Sequence, residues 1–104
     1  HADHSSAIGA LVAMQLGSAY ADKNDCKSAV DQWSKLTANK SVQFAQDEAK
    51  LRMGLCYESM NDMAKAEQLY TEVAKKENAE VPSDSAAVRE AAKYLRLLKV
   101  KKSL

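Results

Sequence analysis

Proline occurs once and glycine three times in this chain of 104 residues. An all-β fold of this length needs many more turn residues, so that scarcity favours helix. Charge of one sign is lacking as well. The formal net charge is +1, so no global field draws the chain to nucleic acid or to a membrane surface. No stretch approaches the ~20 apolar residues that a membrane span requires. Cysteine occurs twice, at Cys26 and Cys56, with no CxxC and no neighbouring histidine. The usual zinc and thioredoxin-like spacings are thereby excluded. Each cysteine falls on a helix that faces other helices, where a free thiol behaves as a small apolar residue. A disulfide between them is the other option in an oxidising compartment, and the sequence leaves both open. Histidine is confined to His1 and His4. A His-x-x-His at a chain end reads as a tag or linker remnant before it reads as a metal site. The chain opens without an initiator methionine, as an excised or processed piece would, and any targeting segment would lie upstream.

What is present is helix-forming. Hydrophobic residues make up 46% and charged residues 28%, the balance of one ordinary compact domain spanning 1–104. Alanine, lysine, leucine and glutamate dominate, and these lose little side-chain freedom in a helix. The charge is uneven along the chain: zero over 1–41, −3 over 42–82 and +4 over 83–104. The basic end reads as a solvated last helix whose cations suit the negative end of its dipole.

Sliding the chain on itself by 37 residues exposes a repeat. Leu16-Gly17-Ser18-Ala19-Tyr20 falls on Met53-Gly54-Leu55-Cys56-Tyr57. Asn24-Asp25 falls on Asn61-Asp62, Ala29 on Ala66, Trp33 on Tyr70 and Leu36 on Val73. This series of apolar residue, glycine, tyrosine, alanine and aromatic resembles the tetratricopeptide repeat family. The resemblance implies an all-α fold of two antiparallel helix hairpins plus a C-terminal capping helix. Repeat one would run about 10–43, repeat two about 47–80 and the cap about 84–101. The chain departs from the family at Ala13 and Lys50, where a bulky residue is preferred, and at Ser41 and Asn78, where proline is. Its period is longer than usual, which implies a longer connection near 39–46. Gly17 and Gly54 sit mid-helix, at a cost of roughly 1 kcal/mol each against alanine. Close helix approach tolerates that cost, with Ala29 and Ala66 as the small surfaces opposite.

Periodicity predicts five helices. The first, about 5–22, carries Ile8, Leu11, Val12, Leu16, Ala19 and Tyr20 as its apolar face. The second, about 25–38 and capped by Asp25, buries Ala29, Val30, Trp33 and Leu36. The third, about 42–60, carries Phe44, Ala45, Ala49, Met53, Cys56, Tyr57 and Met60. The fourth, about 63–78, buries Ala66, Leu69, Tyr70 and Val73. Pro82 stops what precedes it, and Ser83 or Asp84 caps the fifth helix, about 84–101. That helix presents Val88, Ala91, Ala92, Leu95 and Leu98 and covers the open face of the last repeat. The segment from Val81 to Leu98 resembles the closing segment of bacterial envelope tetratricopeptide proteins: the Tol–Pal coordinator, outer-membrane assembly lipoproteins and the ancillary subunit of the secretion translocon. That implies a periplasmic or membrane-anchored, periplasm-facing location, with the cytoplasm as the alternative.

In the family the first helix of each repeat lines a concave groove. The positions implied here are Leu11, Met14, Ser18 and Ala21, then Glu48, Leu51, Leu55 and Glu58. The carboxylate-clamp lysines and asparagines are missing. What remains is an apolar strip of Leu11, Met14, Leu51 and Leu55 with an acidic border of Glu48 and Glu58. Such a strip suits a helical or extended segment of a partner protein, and flexible Met14 suits varied ligands. The alternative is a structural self-association module, in which the same strip pairs with a second copy. The sequence holds no nucleophile elbow and no glycine-rich phosphate loop. No catalytic, cofactor or metal residues are therefore assigned. Asp47-Glu48 reads as acidic complement to a helix start. An apolar and acidic groove lacks the basic and aromatic side chains that reading RNA requires.

Overall fold

The computed structural model describes residues 7–37, 43–75 and 86–104, and among these every regular element is helical. The helices are α1 (Ala7–Asp22), α2 (Cys26–Thr37), α3 (Gln43–Ser59), α4 (Met63–Ala74) and α5 (Ala86–Ser103). The turns that join α1 to α2 and α3 to α4 are built identically, 37 residues apart. Asn24 and Asn61 both adopt φ 63°, the left-handed region that asparagine tolerates better than most residues. Asp25 N donates to Tyr20 O at 2.9 Å and Asn24 N to Ala21 O at 2.9 Å. Asp62 N donates to Tyr57 O at 2.8 Å and Asn61 N to Glu58 O at 3.0 Å. This pair of bonds closes a Schellman motif and satisfies carbonyls that the helix end leaves open. The next residue at once starts the following helix. Asp25 Oδ1 accepts from Ser28 N at 3.1 Å, and Asp62 Oδ1 from Lys65 N at 3.3 Å, so each aspartate is the expected N-cap.

Each helix packs on the next, while α1 also touches α3 and α3 touches α5. The result is a slab of 46 × 36 × 17 Å, with α1, α3 and α5 in one layer and α2 and α4 in the other. Two buried clusters fill it. The first joins Ala10, Ala13, Ala29, Trp33, Leu36, Ala45, Ala49, Met53 and Cys56. The second joins Leu51, Ala66, Tyr70, Val73, Ala87, Val88, Ala91 and Leu98. Tyr57 is half-buried against both.

The glycines are needed for a reason the sequence did not give. A Cβ on Gly17 would overlap the Trp33 indole at Nε1, and one on Gly54 would lie 2.5 Å from Tyr70 Cε1. The aromatic ring of the second helix, rather than Ala29 or Ala66, fills the space over each glycine. Trp33 then spans the hairpin and donates from Nε1 to Met14 O at 3.3 Å. Tyr70 donates to Glu58 Oε2 at 3.0 Å. Burial first, then that bond and the Glu58 charge, push the Tyr70 hydroxyl far above its ordinary pKa.

Three expectations need correction. The apolar face assigned to the first helix is its outer face: Ile8, Leu11, Val12, Leu16, Ala19 and Tyr20 are all exposed. The buried face consists of Gly9, Ala10, Ala13 and Gly17, because only small residues admit α2 and the Trp33 ring so closely. Met60 lies beyond the end of α3 and is 40% exposed. The fifth helix also runs two residues past its expected end, to Ser103. The position 37 residues after Asn61 is Leu98, which is fully buried and lacks asparagine's tolerance of the left-handed region. The helix therefore continues, and Lys101 and Lys102 reach Glu58 at 3.7 Å and Glu67 at 2.6 Å. The expectations at Ser41, Asn78, Pro82, Ser83 and Asp84, at His1 and His4, and for the Phe44 side chain lie outside the described residues.

Candidate functional site

The two hairpins are joined covalently: Cys26 at the start of α2 and Cys56 in α3 form a disulfide, with Cα atoms 5.4 Å apart. The bond forms one wall of a cleft of about 420 Å³. Ala21 and Trp33 line it from the first hairpin; Arg52, Leu55, Ser59 and Met60 line it from α3 and its end. A shallower hollow continues it along α1, past Met14, Gln15 and Ser18, and Arg52 borders both. The concavity thus lies between the first helices of the two hairpins.

Arg52 organises it. Its Nε donates to Glu48 Oε1 at 3.0 Å and its Nη1 to Ser18 Oγ at 2.9 Å. These bonds hold the guanidinium plane across the gap between α3 and α1. They use two of its five N–H donors. The side chain is 40% exposed. A cation fixed beside Trp33, Leu55 and Met60 offers a carboxylate a charge-assisted bond next to apolar walls.

The expected groove residues divide between this cleft and other surroundings. Leu55 lines the cleft, and Met14 and Ser18 line its continuation. Glu48 belongs to it through Arg52. Leu11 is 56% exposed on α1 and borders neither hollow. Leu51 is a correction: it is 2% exposed within the second core cluster, because α5 docks over it. Glu58 is taken up internally by Tyr70 and Lys101. The strip is therefore shorter than expected and its border is not simply acidic. Arg52, Ser59, Met60 and the disulfide were not anticipated there. A signal for Arg52 existed: it stands 37 residues after Gln15, one position from the groove series, four residues after Glu48 and so on the same helical face.

Among the described residues no group of three His, Cys, Asp or Glu side chains is placed to hold a metal ion. No helix among them is long and apolar enough to cross a membrane.

Two disulfide-linked helical hairpins, a fifth helix packed on the second of them and an open cleft with one tethered arginine define, among the described residues, an all-helical protein of hairpin type. It belongs to the family described as Domain of unknown function (DUF6340), whose profile matches residues 15–100. No curated protein matches the chain, and no solved structure does.

Proposed function

We propose that this chain is a protein-interaction scaffold of tetratricopeptide type. Its two hairpins and closing helix hold a helical or extended segment of a partner protein in the cleft between α1 and α3. Binding, rather than catalysis, is its task. The observation that carries the reading is the cleft itself: apolar walls from Leu55 and Met60, backed by the buried Trp33, with Arg52 tethered at their edge. A segment that fits carries one or two apolar side chains beside a carboxylate. The repeat at 37 residues supports the tetratricopeptide assignment, because turn bonds, caps and glycine–aromatic contacts all recur at that spacing. The Cys26–Cys56 bond supports an oxidising compartment. Together with the likeness of the closing segment, this favours the bacterial cell envelope, on the periplasmic side.

The test is selection of short peptides from a displayed library on the oxidised chain, followed by titration against Leu55→Glu and Arg52→Gln. Both positions are partly exposed, so each variant keeps the fold. Selected peptides that bind the parent and lose at least tenfold in both variants support the reading. Peptides that bind all three alike, or a library that yields none, would remove the cleft from consideration.

A further inference from the structure

Helix α1 is apolar on almost every side. From Ala7 to Ala21 it carries no charged residue, and its polar side chains are Gln15, Ser18 and Tyr20. A helix with that pattern belongs in an interior. Yet the row Ile8, Val12, Leu16 and Tyr20 lies exposed along its outer face with Leu11 beside it, Ile8 reaching 76%.

The repeat says what this face is for. Shifted by 37, Ile8, Val12, Leu16 and Ala19 become Ala45, Ala49, Met53 and Cys56. Those four are buried with the Ala29, Trp33 and Leu36 side chains of α2. The fold thus buries this surface on α3 under another helix, whereas its counterpart on α1 is exposed and no other described helix packs over it. The two rows differ in size, and the difference selects the occupant. The small side chains of α3 let α2 come close enough for the Cys26–Cys56 bond. The branched residues of α1 hold a helix further out, and Ala19 stands where the cysteine would be. A row at i, i+4, i+8 and i+12 is a ridge, and interdigitation of two such ridges is the commonest class of helix packing.

The occupant's contact face must also be uncharged, since α1 offers no counter-ion along the row. Among the described helices, α1 meets that condition itself. The exposed Leu97 and Val100 of α5 sit among Arg96, Lys99 and Lys101, so pairing two copies there would oppose like charges. We propose that the outer face of α1 is a self-association surface, on which α1 of a second copy packs about a two-fold axis. The ridges interlock at a crossing angle of about −50°. One helix face is less than the ~800 Å² per partner of a standard interface, so the dimer is weak, with a dissociation constant on the order of micromolar or above.

Sedimentation equilibrium on the oxidised full chain, from about 5 to about 500 μM so as to bracket that affinity, is the experiment. The mass should rise with concentration from 11.4 kDa towards twice that value and stop there. Leu16→Arg should weaken association at least tenfold while melting like the parent, and Val12→Arg provides an independent second variant. Neither residue lines the cleft, so cleft-selected peptides bind both variants normally, and failure of one proposal leaves the other standing. A parent that stays monomeric throughout, variants that associate undiminished, or masses growing beyond two copies would each overturn it.

Discussion

Reducing the Cys26–Cys56 bond frees a loop whose ends are 30 residues apart in sequence. Closing such a loop costs the unfolded chain about 3.7 kcal/mol of conformational free energy at 25 °C. Stability of roughly 5–15 kcal/mol is usual at this size, so the bond supplies a quarter or more of it. A change of 1 kcal/mol moves the melting temperature of a domain this small by about 4–8 °C. The expected fall on reduction is therefore ~15–30 °C. The bond ties α2 of the first hairpin to α3 of the second, alongside the apolar packing these helices share in the first buried cluster. Circular-dichroism melts with and without a phosphine reductant measure the shift. A Cys26→Ala, Cys56→Ala double variant should melt near the reduced parent and ignore the reductant. A shift below about 5 °C, outside the usual range for a native disulfide, would refute the assignment of the bond as a structural link between hairpins. So would a double variant as stable as the oxidised parent.

Other outcomes follow from the same geometry. Gly54→Ala gains up to about 1 kcal/mol of helix propensity but drives its methyl into Tyr70, at a cost of about 1–3 kcal/mol; urea titration should show a net loss, with Gly17→Ala alike. Asn61→Gly should be near neutral, whereas Asn61→Val should cost at least about 1–2 kcal/mol because a branched residue resists φ 63°. Leu51→Ala should lose about 2–5 kcal/mol as a core residue, a scale of damage that a groove-lining leucine would not show. Hydrogen bonds from Ser28 lower the Asp25 pKa, and the Lys102 bond and charge lower that of Glu67. The unfolded chain therefore takes up these protons more readily. Their stabilisation is present above the ordinary values of 3.8 and 4.5 and is lost as pH falls through the lower folded values. Melts from pH 6 to 2 should show this acid loss, with a smaller one in Glu67→Gln.

The elements that sequence alone located well were those with local causes. Asn24-Asp25 and Asn61-Asp62 specify turn and cap within a few residues, so the C-terminal end of α1 and the starts of α2 and α4 are legible. Trp33, Tyr70 and their alanine neighbours were legible as core because their rows repeat. The faces were harder. On α1 the large side chains drew the core assignment, yet space beside Trp33 admits only Ala10, Ala13 and Gly17. Size alone misleads where helices approach closely. The repeat pattern places Leu51 in the groove, and nothing local reveals that α5 covers it. The role of Arg52 is not legible locally because it depends on Glu48 and Ser18 together, and the latter is 34 residues away. The disulfide stayed undecided for the same reason, since spacing says nothing about Cα separation.

Trp33 is the single tryptophan of the chain, and it stands in the wall of the cleft with the Cys26–Cys56 bond. Disulfides quench indole emission at short range. The molecule therefore carries its own optical gauge. Occupation of the hollow, opening of the sulfur link and separation of the first hairpin should each alter the same signal. Titrations can thus be followed by intrinsic fluorescence, with no dye attached to so small a surface.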